Sequence, residues 1–214
     1  MFRARGIKVR RLEDPDVDEL ADRHRRRYAG CAPDEPVDMV RLLENLDGKP
    51  IDLPKKAGKA TITFSVVEHL PSNVAARTVY QKSELRVLME FSDDTYKRIR
   101  RNDWFARSTV PHELAHVMKH LPELVHLTEL PHDKIALARS TSSHPVREDS
   151  EYQAERYAAA YVAPDTGLRF LERRGQLTAY DLSLRYIMSP LSAQYRIDDF
   201  KRAEIERQGR KGGR

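Results

Sequence analysis

Apolar residues in the first fifty positions recur every three or four residues, which is the spacing of one face of a helix. In the first such segment Asp14 or Asp16 can cap a helix, and Gly30 is placed to end it. Its apolar stripe consists of Val17, Leu20, Ala21, His24 and Tyr28. A second helix is predicted with Pro36 in its first turn and an end near Gly48.

Apolar and polar residues then alternate in two segments, residues 61–66 and 85–91, and this period of two predicts strands. From about residue 94 the spacing is helical to the end of the chain. Prolines are expected to interrupt those helices at four positions: Pro122, Pro131, Pro145 and Pro164. The pattern predicts an α+β fold dominated by helices, with a small, mostly antiparallel or mixed sheet of about three strands and C-terminal helices.

Composition favours one main domain. The chain has 214 residues, of which 40% are hydrophobic, and this is enough for one proper core. No run of eighteen apolar residues occurs, and the N-terminus lacks the apolar stretch of a secretory signal. Cys31 is the single cysteine, which excludes an internal disulfide and a cysteine-built zinc site. We therefore expect a soluble, cytoplasmic protein with no membrane partner.

The net charge of +5 is small beside 38 basic and 33 acidic residues, so it does not indicate a nucleic-acid-binding protein. Basic residues cluster at positions 24–27, 97–101 and 207–214. We interpret the first two clusters as solvated faces and the third, which contains glycines, as a flexible tail.

Residues 112–116 have the sequence HELAH, which is the candidate metal-binding and catalytic motif of the chain. Residues four apart on a helix lie on one face, about 6 Å apart along the axis, so the imidazoles of His112 and His116 can converge on one tetrahedral zinc ion. Glu113 then lies beside the metal, where it can accept a proton from a metal-bound water and pass it to a leaving amine. The motif predicts a zinc peptidase in which Glu113 is the general base.

A catalytic zinc normally takes a third protein ligand. His120 lies about 12 Å along the helix from His112, too far to share the ion, so we expect it to support the site from outside the ligand set. Glu151 and Glu155 share one face of a later helical segment. Either could bind the metal while the other accepts a hydrogen bond from a ligand imidazole. Weaker alternatives are Glu148, Asp149 and His144.

Two further features remain open in the sequence. The residue that would stabilise a developing oxyanion has three candidates by proximity alone, which are Tyr157, His144 and Arg139, and for Tyr157 core packing is favoured. Pro111 stands directly before His112, and proline is tolerated in the first turn of a helix. The metal-binding helix is therefore predicted to begin here, with Ser108 or Thr109 near its cap.

The sequence HELAHVMKH at 112–120, followed by ExxAExxAxxxxxP at 151–164, resembles the ImmA/IrrE-type metallopeptidases. Their pattern is HELGHxxxH and then ExxANxFAxxLLxP. The resemblance covers roughly residues 15–200, with a weak match at 188–197 to a C-terminal helix of the family. It implies a zincin-like fold and a gluzincin-like site with His112, His116 and Glu151 on zinc and Glu113 catalytic. Glu155, Tyr157 and Pro111 depart from the family pattern.

The resemblance also implies a domain organisation and a substrate. Residues 1–165 would form the peptidase core, 166–206 a C-terminal helical region with a helix-turn-helix-like character, and 207–214 the tail. Relatives typically cut a helix-turn-helix repressor of a mobile element, a phage or a stress response, which relieves repression. The alternative is a weak or inactive binding module that contacts a repressor or, less favoured, DNA, with zinc structural. Glu113 separates the two, since a structural zinc needs no general base.

Overall fold

A mixed sheet and a larger set of helices make up the computed structural model, which describes residues 6–53, 58–71, 74–127, 134–136 and 144–212. The helices are α1 (Asp14–Tyr28), α2 (Met39–Leu46), α3 (Asp93–Arg100), α4 (Trp104–Ala115), α5 (Leu121–Leu127), α6 (Ser150–Val162), α7 (Asp165–Arg173), α8 (Ala179–Tyr186) and α9 (Pro190–Gly212). The strands are β1 (Pro50–Asp52), β2 (Lys59–Val67), β3 (Ala76–Gln81), β4 (Arg86–Ser92) and β5 (Lys134–Ala136). The predicted α+β class is confirmed.

The strands are ordered β1-β2-β4-β3-β5, and β2 pairs with β4 in parallel while the other pairs are antiparallel. The sheet is therefore mixed, and its five strands exceed the predicted three. Sequence pattern misses β3 because residues 78–81 are buried one after another, so the strand shows no alternation of apolar and polar positions. The prediction of helices alone after residue 94 is wrong at β5, which pairs with β3.

The first two helices form where the sequence pattern predicts them, but their first residues and capping residues differ from the predicted ones. Glu13 precedes α1, so neither Asp14 nor Asp16 is its cap. In α2 the Asp38 side chain accepts hydrogen bonds from the amides of Val40 and Arg41, and the helix begins at Met39 rather than near Pro36.

The helix that carries the first histidine begins earlier than predicted. Asp103 caps it, because its Oδ1 accepts the amide N–H groups of Phe105 at 3.1 Å and Ala106 at 2.9 Å. Pro111 therefore lies inside α4, and the predicted start near Ser108 or Thr109 is wrong. A proline in a helix interior costs about 3 kcal/mol. Three fully buried residues on one stripe of α4 offset that cost, namely Ala106, Val110 and Leu114.

A wide turn joins α4 to α5 where a break is predicted at Pro122. Residues His116–His120 form a π turn, in which the amide of Leu121 donates to the carbonyl of His116. Pro122 has no N–H to donate, and its ring would crowd the carbonyl group four residues before it in a regular helix. A wide turn just before Pro122 needs no such hydrogen bond and moves that carbonyl group away from the ring. The helix therefore continues through Pro122. Pro164 follows the end of α6 as predicted, Pro145 precedes a single 3₁₀ turn, and Pro131 lies outside the described residues.

The C-terminal helices share one hydrophobic core with the rest of the fold. Leu168 on α7, Leu182 on α8 and Phe200 on α9 belong to the same buried cluster as Val110 and Leu114. The tail that the sequence predicts to be flexible from Arg207 is helical as far as Gly212. Within that stretch Arg207 pairs with Asp165 at 2.5 Å, and Arg210 pairs with Asp16 at 2.9 Å.

One basic residue of the 24–27 cluster is buried instead of solvated. Arg25 is 1% exposed, and its guanidinium donates to the carbonyl oxygens of Tyr161 at 3.0 Å and Ala32 at 3.2 Å. It joins α1 to the end of α6 and to the loop before α2.

None of the helices in the described ranges combines the length and the apolar content that crossing a bilayer requires.

Candidate metal centre

Three side chains from two packed helical segments converge on one point. His112 is near the end of α4, His116 begins the π turn, and Glu151 lies in the first turn of α6, which packs against α4. Their ligand atoms all lie within 4.8 Å of one another. The two Nε2 atoms are 3.2 Å apart, and each is 3.4 Å from a different oxygen of Glu151.

These separations suit a tetrahedral metal ion. Metal–nitrogen and metal–oxygen bonds of about 2.0–2.2 Å at tetrahedral angles place neighbouring ligand atoms roughly 3.3–3.5 Å apart. The two Nε2 atoms are 3.2 Å apart, close to that value, and each of them lies 3.4 Å from one of the two Glu151 oxygens. The cluster of His112, His116 and Glu151 could therefore hold a metal ion, and two imidazoles with one carboxylate suit several first-row metals.

The charges in the cluster already favour a cation. Desolvation raises the pKa of Glu151, but hydrogen bonds from His112 and His116 outweigh it and hold that pKa well below its usual range. Desolvation lowers the pKa of His112, but the hydrogen bond to Glu151 and the charge of Glu113 outweigh it and raise that pKa. Glu151 is therefore ionised at neutral pH, as a metal ligand must be.

Glu113 lies beside the cluster and is not one of its three members. Its side chain is buried, and Thr78 of β3 donates a hydrogen bond from its hydroxyl to Oε2 at 2.7 Å. Its negative charge is one cause of the raised pKa of His112, the residue directly before it in the chain. Thr78 is a site residue that sequence reasoning missed, because the strand that carries it was not predicted.

His120 and Glu155 interact with the cluster in different ways. His120 is fully buried, and its Nδ1 is 2.9 Å from Nδ1 of His116. Gln153, a second residue that the sequence did not reveal, approaches its other nitrogen at 3.3 Å. Glu155 is exposed on α6, and its charge acts on His112. Between the two glutamates, the cluster contains Glu151 and not Glu155.

The weaker candidates are engaged elsewhere. Tyr157 is 1% exposed in the core, with its hydroxyl 2.9 Å from Nδ1 of His24, so the favoured packing role is confirmed. His144 lies 2.9 Å from Asp149, which in turn caps α6 by accepting the amide of Tyr152. Glu148 pairs with Lys8 at 3.2 Å, and Arg139 lies outside the described residues.

Comparisons with known proteins give little. No family model matches the chain, and no curated protein matches it. Among solved structures, it is similar to a Mycobacterium tuberculosis transcriptional regulator, with 15% sequence identity and a TM-score of 0.46. The match covers 83% of this chain and 44% of that one, so the chain spans less than half the length of the regulator. A likeness at this level carries no conclusion about function.

Proposed function

We propose that the protein is a zinc-dependent peptidase in which His112, His116 and Glu151 hold the metal and Glu113 is the general base. The observation that carries this proposal is the convergence of three ligand atoms within 4.8 Å, next to a buried carboxylate that is not one of them. A carboxylate beside the metal position can act as the general base of a hydrolase, whereas a structural metal site activates no water and needs no such base.

The chain's own residues supply the proton transfers. When bound, zinc polarises the peptide carbonyl and lowers the pKa of a water to about 7. Glu113 accepts a proton from the water as the water oxygen adds to the carbonyl carbon. It delivers that proton to the amide nitrogen as the C–N bond breaks. Thr78 holds Oε2 of Glu113, and this fixes the direction from which the carboxylate approaches.

The substrate that we propose is a helix-turn-helix repressor in the cytoplasm, and its support is the resemblance of the sequence to ImmA/IrrE-type peptidases. A regulatory binding module with a structural zinc is the competing function. Such a zinc normally has four protein ligands. Within the described ranges the cluster has three, which favours the peptidase.

The test compares the wild type with Glu113→Gln on a library of internally quenched peptides and on the helix-turn-helix protein encoded nearest to the gene. We expect the variant to keep its zinc and to lose cleavage by about 100-fold or more, since a positioned general base contributes roughly 10²–10⁴-fold. Glu172→Gln, at an exposed position on α7, is the matched control and should cleave normally. Cleavage by Glu113→Gln at the wild-type rate would contradict the assignment.

A further inference from the structure

A chain of hydrogen bonds leads from the backbone to the ligand nitrogen of His116, and it begins at Gln153. This side chain is 2% exposed. Its Nε2 donates to the carbonyl oxygen of Arg10 at 2.9 Å and to that of Arg147 at 2.8 Å. Carbonyl oxygens only accept, so the nitrogen end of the amide must face them. The oxygen end, Oε1, therefore faces His120.

The orientation of that amide determines where His120 carries its proton. Nε2 of His120 is 3.3 Å from Oε1 of Gln153, an acceptor, so Nε2 is the protonated nitrogen. A second proton, on Nδ1, would place a cation on a side chain that is 0% exposed, and neither of its hydrogen-bond partners, Gln153 and His116, is a carboxylate. Nδ1 of His120 is therefore a lone-pair acceptor.

The unprotonated Nδ1 of His120 in turn determines which nitrogen of His116 carries a proton. Nδ1 of His116 is 2.9 Å from Nδ1 of His120, so the proton between the two rings belongs to His116. A metal-bound imidazole is neutral and has one N–H, so with Nδ1 protonated, Nε2 of His116 is the nitrogen whose lone pair is available to a metal. Nε2 is the atom that lies 3.4 Å from Glu151 and 3.2 Å from His112 in the cluster.

We infer that Gln153 is a positioning residue for the metal centre. Through His120 it fixes His116 as the Nδ1–H tautomer, with the lone pair of Nε2 directed at the metal position. The wide turn at His116–His120 carries both rings of the relay, and two backbone carbonyls from separate segments hold its far end. The inference rests on the proposed function only in treating His116 as a ligand.

The direct test is a long-range proton–nitrogen correlation spectrum of metal-free, ¹⁵N-histidine-labelled wild-type protein at neutral pH. The pattern of cross-peaks distinguishes the two neutral tautomers from each other and from the imidazolium. We expect a proton on Nδ1 of His116 and His120 as the Nε2–H form. His116 in the Nε2–H form, or His120 as an imidazolium, would overturn the inference. This spectrum needs no substituted protein.

A second test measures zinc affinity by competition with a chelator. Gln153→Met keeps the length of the side chain and removes its acceptor, and we expect about 10–100-fold weaker zinc binding, the usual cost of losing a supporting partner of a ligand. Gln208→Met, at an exposed position on α9, is the control and should bind as the wild type does. Zinc affinity unchanged in Gln153→Met would overturn the positioning role.

Replacements of His120 test the relay without touching Gln153. His120→Gln keeps an acceptor for Nδ1 of His116, whereas His120→Leu does not, so the first should bind zinc more tightly than the second. Equal affinities would overturn the relay. The proposed function fails separately: a wild type that binds no zinc would remove the peptidase proposal, while the tautomers in the metal-free protein would still decide the inference.

Discussion

At the scale of single residues, the proposed base depends on a hydroxyl from a neighbouring strand. Thr78 holds Oε2 of Glu113 at 2.7 Å, and both side chains are buried. Thr78→Val keeps the shape of the side chain and removes this donor. We expect the variant to retain zinc and to lose about 10–100-fold in kcat/KM, the range found when a partner of a site residue is removed. Steady-state cleavage of a quenched peptide measures the loss.

Thr78→Ser keeps the hydroxyl and is the control for that change, so it should recover most of the activity. Urea unfolding of both variants separates a loss of stability from a misplaced carboxylate. If Thr78→Val cleaves as fast as the wild type, Thr78 does not position the base.

The site residues that spacing alone reveals are those on one helix, whereas Glu151 was one of two open candidates and was singled out only by the family resemblance. His112, Glu113 and His116 lie within five positions of one motif, and helical geometry alone brings the two imidazoles together. Thr78 and Gln153 could not be recognised, because their roles depend on contacts with side chains 35 and 33 residues away. Nothing in their local pattern distinguishes them from ordinary strand and helix residues.

At the scale of elements, α9 is attached to the core by an ion pair that involves its last turns. Asp165, at the start of α7, is almost fully buried and meets both Arg196 and Arg207 of α9. Arg207→Ala leaves that carboxylate with one arginine, so we expect the free energy of unfolding to fall by about 1–3 kcal/mol. Chemical denaturation monitored by circular dichroism measures the change.

Arg210 offers a matched control three residues further along the same helix. Its partner is Asp16, and both side chains are about half exposed, so the pair should contribute less than about 1 kcal/mol. Arg210→Ala should therefore unfold nearly as the wild type does. Equal, negligible effects of the two substitutions would mean that the end of α9 is not docked as described.

The sequence predicts the ends of a helix or strand correctly where its local pattern of apolar residues matches the residues that tertiary contacts bury. Strand β4 alternates along its whole length, whereas β2 alternates only in its first half, and Val66 is 40% exposed although the pattern groups it with buried Ile62. The start of α4 was missed because the cap at Asp103 and the burial of one stripe outweigh the cost of Pro111 inside the helix. The π turn was missed because a wide turn has no sequence pattern of its own.

At the scale of the whole molecule, a partly buried histidine makes stability depend on pH. Burial lowers the pKa of His24 from 6.5 to about 4, and its Nδ1 meets the hydroxyl of Tyr157. Between these two values the unfolded chain binds a proton that the folded chain does not, so stability falls as the pH drops from 6.5 towards 4. For this group the loss between pH 7 and pH 5 is about 2 kcal/mol.

Urea unfolding of metal-free protein at pH 7 and pH 5 measures that dependence. His24→Gln cannot titrate, so its loss of stability over this interval should be smaller than that of the wild type by about 2 kcal/mol. His69→Gln removes an exposed histidine and should behave as the wild type does. An identical pH dependence in wild type and His24→Gln would contradict the assignment. The ion pairs of Asp165, whose pKa is lowered, are lost only at more acidic pH.

The central claim, that His112, His116 and Glu151 hold one zinc ion, is tested most directly by metal analysis of the purified protein. After equilibration with zinc and dialysis, we expect about one ion per chain in the wild type and in Glu155→Ala. We expect almost none in His112→Ala and a strong loss in Glu151→Ala. A wild type without zinc, or a His112→Ala variant that binds it as the wild type does, would contradict the claim.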